Sequence, residues 1–133
     1  VTVEGNTTNN SGTNHVAYIW HGVEGYSKFG VYVGNGNSDG PFIYTGFRPR
    51  FVITKGLATS GWNLRDSARS PFNTLNEVLQ ADTSSAELTS NYDTNFFSNG
   101  FKIRATAGDS NTDGNSYVYG AWSDVPFRYN NAF

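Results

Sequence analysis

Two histidines, eleven carboxylates and three tryptophans are the residues through which this chain could do chemistry. His15 and His21 stand six positions apart, which misses the i, i+4 spacing that sets two zinc ligands on one helix face. No carboxylate nearby is spaced to complete a site. His21 follows an apolar run and reads as a strand end. No Gly-x-Ser-x-Gly elbow, Ser-x-x-Lys pair or Walker loop occurs, so neither an activated serine nor a phosphate cradle is indicated. Gly34-Asn35-Gly36 is a lone Gly-x-Gly with no helix after it for a phosphate to cap, and it reads as a turn.

Glycoside hydrolysis needs two carboxyl groups facing one cleft. The eleven acids are scattered from Glu4 to Asp124, and the sequence selects no pair among them. Calcium is the other chemistry they suggest. Asp109-x-Asn111-x-Asp113-Gly114 matches the first half of an EF-hand loop, and Asn35-x-Asn37-x-Asp39-Gly40 nearly does. Where the bidentate Glu should close each loop stand Gly120 and Gly46, and no helices flank them. Solvated hairpin turns are the expectation. No catalytic residue, metal ligand or cofactor is assigned.

The 21 aromatics support two readings. Exposed Trp or Tyr can stack on sugar rings, as in many lectin-like modules. A chain of 133 residues also needs most of them for its core. Phe29, Phe51 and Phe101 lie on alternating patterns and are expected to point inward. Trp20, Trp62 and Trp122 are left as the candidate glycan-stacking surface.

The elements that must position these residues are short strands. Val16, Tyr18 and Trp20 share one parity of an apolar run. Phe29, Val31 and Val33 alternate with Gly30, Tyr32 and Gly34. Phe51 and Ile53 alternate with Val52 and Thr54, and Phe101, Ile103 and Ala105 with Lys102 and Arg104. Tyr117, Tyr119 and Ala121 close the series. Period-two alternation lets each run bury one face. Gly- and Asn-rich breakers separate the runs, and Asn99-Gly100 is the clearest hairpin signal. Thr74-Leu75-Asn76-Glu77-Val78-Leu79 fits a capping box before a short helix and equally a strand. The expected fold is an all-β antiparallel β-sandwich, jelly-roll-like or lectin-like, over residues 16–133 as one domain. Residues 1–15 are expected to form a flexible arm or linker, and its two sequons at Asn6 and Asn9 read as chance matches.

Composition excludes several partners. The net charge is −2 with 15% charged residues, and no Lys/Arg cluster offers a footprint for nucleic acid. No apolar run spans a membrane. Zero Cys removes disulfides, thiolate metal sites and a Cys nucleophile. Zero Met suggests a trimmed, cleaved or partial product.

One set of residues carries a resemblance. The stretch Val23-Glu24-Gly25-Tyr26-Ser27-Lys28-Phe29-Gly30 leads into residues 32–49, with their Gly34-Asn35-Gly36 and Asp39-Gly40-Pro41-Phe42 core. The pattern continues through Phe51-Val52-Ile53, Asp66-Ser67-Ala68-Arg69 and Phe97-Ser98-Asn99-Gly100-Phe101-Lys102-Ile103-Arg104 to Pro126-Phe127. Over about residues 16–129 the chain resembles the C-terminal domain of virion structural and tail-fibre proteins of tailed bacteriophages, many from marine or cyanobacterial hosts. Residues 82–95 and 120–125 depart from that pattern. The resemblance implies a non-enzymatic structural protein on the virion surface, a fibre or capsid-decorating domain. Its implied partners are other virion proteins and copies of itself, with a trimer among the expected arrangements. No catalytic residue comes with it. The rival expectation is a carbohydrate-binding module for host surface glycans, and a depolymerising enzyme is a third class.

Overall fold

The computed structural model describes residues 11–12, 14–58, 61–106 and 108–124. The N-terminal arm expected over residues 1–15, with its sequons, lies largely outside them, as does Pro126-Phe127.

Eight strands form two antiparallel sheets, and no helix occurs among the described residues. The larger sheet runs β1 (Ser27–Val33), β8 (Ser116–Ser123), β3 (Pro49–Gly56), β4 (Trp62–Asp66) and β5 (Leu79–Gln80), in that order. The smaller runs β2 (Phe42–Tyr44), β7 (Gly100–Ile103) and β6 (Thr94–Phe97). The expected all-β sandwich is what the chain forms.

The core lies between the sheets. From the larger sheet come Tyr32, Val52, Tyr117, Tyr119 and Ala121, and from the smaller Ile43, Phe96, Phe101 and Ile103. Tyr32 stacks on Tyr117 with centroids 5.0 Å apart, and Phe101 meets Tyr119 edge-on at 5.5 Å. Both are favoured geometries for buried aromatic pairs. The alternations at 101–105 and 117–121 therefore point inward as expected. The hairpin signal marks the β6–β7 turn. Phe97 pairs with Gly100, which makes Ser98 and Asn99 the two-residue turn, one place earlier than the Asn-Gly pair itself. Gly100 opens β7, and a Cβ there would run into the Ile43 carbonyl of the neighbouring β2.

Two expectations are corrected, and the choice left open at residues 74–79 falls to the extended form. Val16 to Trp20 form no strand. The run lies outside both sheets with Val16, Tyr18 and Ile19 between 76% and 80% exposed. Phe29 and Phe51 point away from the core, because Tyr32 on β1 and Val52 on β3 take the inward parity. Residues 74–79 are extended rather than helical. Leu75 bridges to Thr94 and Val78 to Leu88, both buried. The Asn73 side chain exchanges two hydrogen bonds with the Phe96 backbone at 2.8 and 2.9 Å, completing the lateral pairing there.

The inward face of β4 is polar. Arg65 is fully buried, and its Nη1 donates to Thr54 Oγ1 at 3.0 Å, its Nη2 to Ser110 Oγ at 2.6 Å and its Nε to the Tyr92 carbonyl at 3.3 Å. Among the described residues no carboxylate pairs with it. The planar guanidinium spreads its charge over a fork of donors, which suits it to a set of neutral acceptors. Burial pulls its pKa down and pushes that of neighbouring Tyr32 up.

Candidate functional site

With Tyr32, Val52 and Tyr119 committed to the core, the opposite parity of the same strands must face outward. Register sets the outward side chains in cross-strand rows. Phe29 stands opposite Gly120, and Gly120 opposite Ile53. Val31 stands opposite Val118, Val118 opposite Lys55, and Lys55 opposite Trp62. Trp122 stands opposite Phe51. The outer face of the larger sheet is therefore apolar and aromatic along much of its width.

The rings pack in a chain. Trp122 meets Phe29 edge-on at 5.3 Å and Phe51 at 5.5 Å. Trp20 approaches from the segment before β1, stacking on Phe29 at 6.1 Å and meeting Trp122 edge-on at 6.4 Å. Tyr18 stacks on Trp20 at 6.0 Å, further from the sheet. The rings of Phe29 and Trp122 pack over Gly120, where a side chain would collide with them, and a groove of about 420 Å³ opens on this face with Gly120 in its lining. Trp20, Trp62 and Trp122 all line it. The three tryptophans named from sequence thus converge on one site, although they come from a connecting segment and two strands.

What that groove can do follows from its lining. It holds no carboxylate and no imidazole, and Lys55 is its one charged side chain. The Lys55 ammonium donates to the Gly56 carbonyl at 3.1 Å. Such a surface stacks and excludes water. A second cavity of about 330 Å³ is lined by Asn91, Tyr92, Thr106 and Gly108 and also lacks an acid or imidazole. Burial, followed by the charge of Asp109, raises the Tyr92 pKa.

The other residues singled out from sequence lie elsewhere. His15 and His21 are both exposed in the segment before β1, and the His21 carbonyl accepts from Ser27 Oγ at 3.1 Å. Asp66 and Glu87 do approach each other, but through Arg69, which pairs with them at 2.6 and 3.0 Å. Burial pushes the Asp66 pKa up, but hydrogen bonds from Arg69 and Ala68 outweigh it and hold the carboxyl below the usual range.

The two Asn/Asp loops meet in space. Asn111, fully buried, donates through Nδ2 to the carbonyls of Ala105 and Asn37 at 2.7 and 2.8 Å and to Asn35 Oδ1 at 3.1 Å. Its Oδ1 accepts the Asn35 N–H at 2.9 Å. The Asn35 and Asn37 side-chain oxygens accept the N–H groups of Asn37 and Asp39. Asp39 pairs with Lys102 at 2.6 Å and Arg104 at 3.2 Å. The side-chain oxygens of Asn35, Asn37 and Asn111 are engaged in holding the loops together, and Asp109 Oδ2 accepts from Gln80 at 3.1 Å. Among the described residues no group of three His, Asp or Glu is placed to hold a metal.

The molecule so built is an antiparallel sandwich whose larger sheet turns an aromatic, nearly uncharged face outward. It belongs to the DUF7483 family, a domain of unknown function whose model matches residues 1–126. No curated protein and no solved structure matches the chain.

Proposed function

We propose that this chain is a non-enzymatic surface domain of a tailed-phage virion, a fibre or capsid-decorating element that works by assembly and attachment. Its partners are other virion proteins and copies of itself. The observation that supports this best is the outer face of the larger sheet, an aromatic groove with Lys55 as its one charged lining residue. Apolar, water-excluding patches of this kind serve protein contacts. The resemblance at Gly34-Asn35-Gly36 and Asp39-Gly40-Pro41-Phe42 supplies the phage context. Immunogold labelling of purified particles, with antibody raised against the chain, is the test. Label at a regular position on intact particles is expected, and unlabelled particles refute the proposal.

A second reading is favoured by one feature, the convergence of Trp20, Trp62 and Trp122 on a single groove. Stacked aromatics are half of a sugar site. The other half is a set of polar groups that fix the hydroxyls, and this groove supplies few. A host-glycan array separates the two readings, with Trp62→Ala as the control that must abolish any genuine hit.

A further inference from the structure

We infer that the outer face of the larger sheet is a self-association surface, with segment 16–20 of one copy closing over the groove of a second copy. The inference rests on the assembly reading above and names one contact within it.

The segment and the groove are complementary, yet one chain does not bring them fully together. Trp20 reaches the groove and remains 55% exposed, while Val16, Tyr18 and Ile19 stay 80%, 76% and 79% exposed. These residues carry the alternation of a strand and belong to neither sheet. On the sheet side, Val31 and Val33 leave 59% and 54% of their surfaces in water. Both lie on β1, an end strand of the sheet, so a second copy can approach without displacing a strand.

Area decides between an incidental patch and an interface. These six side chains together expose on the order of 700 Å². The largest patch of an ordinary monomer is about 300–600 Å², whereas a stable interface takes about 800 Å² from each partner. These six side chains alone exceed the ordinary patch and approach the size of a stable interface. Charge does not oppose the contact, because Lys55 is the only charged group lining the groove and its ammonium is held at a backbone carbonyl. The same chain supplies both the protruding apolar segment and the groove that fits it, which makes a second copy the simplest occupant. Reciprocal exchange in a two-fold pair and sequential exchange in a closed ring bury the same residues.

Sedimentation velocity of the 133-residue chain from about 1 μM to about 100 μM tests this. The wild type is expected to associate across that range. The Val16→Asp/Ile19→Asp double variant alters only residues that are about four-fifths exposed, and Val31→Lys alters the sheet side. Each is expected to weaken association by about tenfold or more, with unchanged circular dichroism. A monomer at every concentration, or an oligomer indifferent to both variants, overturns the inference. If a glycan or another virion protein shields the tryptophans of a monomeric chain, that partner is the occupant and self-association is refuted. A monomer that nonetheless labels particles sinks this surface and leaves the assembly reading standing. An oligomer absent from particles does the reverse.

Discussion

Phe29 stands opposite Gly120 on neighbouring strands, and the edge of its ring fills the space that a side chain at 120 would need. A Cβ at that position would lie 3.0 Å from Phe29 Cε1 and 2.8 Å from Trp122 Cη2. The missing side chain seats both rings against the sheet.

Gly120→Val therefore forces the rings of Phe29 and Trp122 apart. The cost expected from overpacking is about 1–3 kcal/mol, read as a lower urea midpoint with unchanged m-value. Trp122 emission should move to longer wavelength as the ring is displaced toward water. Unaltered stability would mean that the rings do not pack over Gly120.

Arg65 is held by three neutral acceptors in the core. Arg65→Ala leaves a cavity and strips Thr54, Ser110 and Tyr92 of their donor, so a loss of about 3–5 kcal/mol is expected in chemical denaturation. Arg65→Lys should restore only part of it, since a single ammonium cannot reproduce the fork. Full rescue by Lys would show that charge alone matters there.

Asn111 faces three acceptors with its amide nitrogen. Asn111→Asp places a carboxylate against them, so the folded state prefers the neutral acid and raises its pKa. The variant's deficit against wild type should be smallest below about pH 3.9 and grow as pH rises through that raised value. Paired thermal melts at acid and neutral pH measure it. A deficit independent of pH contradicts the assigned contacts.

Asp66 behaves in the opposite sense, its folded pKa lying below the ordinary value. Its contribution is fully present above about pH 3.9 and is lost as pH falls through the lower folded value. Asp66→Asn should cost about 1 kcal/mol at pH 7 and flatten the acid limb of the stability curve. An acid limb identical to that of wild type would show that Asp66 does not contribute to it.

The parts of this fold that sequence discloses are those where one parity is apolar and the other is not. Phe101, Ile103 and Ala105 alternate with Lys102 and Arg104, and all three are buried. On β1 and β3 the more apolar parity faces outward. Phe29-Val31-Val33 against Lys28-Gly30-Tyr32, and Phe51-Ile53 against Val52-Thr54, point the hydrophobic pattern to the wrong side, and a one-residue slip is all that separates the two faces. The inward face of β4 is Asn63 and Arg65, so hydrophobic pattern could not reveal that strand. The run at 16–20 has the strand pattern and no strand beside it.

The site was legible in its residues and hidden in its assembly. Trp20, Trp62 and Trp122 stand out by type, but their convergence depends on β8 lying between β1 and β3, a pairing of distant segments. Gly120 and the outward Phe29 gave no signal of their own. The clasp between Asn35 and Asn111, 76 residues apart, was likewise invisible before the loops met. The short Gly-Asn turns at each end did show where the chain reverses.

The aromatic outer face is proposed as a contact surface between copies. All three tryptophans of the chain line its groove, so intrinsic fluorescence reports on this face directly. The decisive measurement is acrylamide quenching of tryptophan emission at increasing protein concentration, for wild type and for Val16→Asp/Ile19→Asp. As copies associate, quenching of the wild type is expected to fall and its emission to shift to shorter wavelength, while quenching of the double variant stays independent of concentration. Equal quenching of both proteins, at concentrations where the wild type is oligomeric, would contradict the proposal.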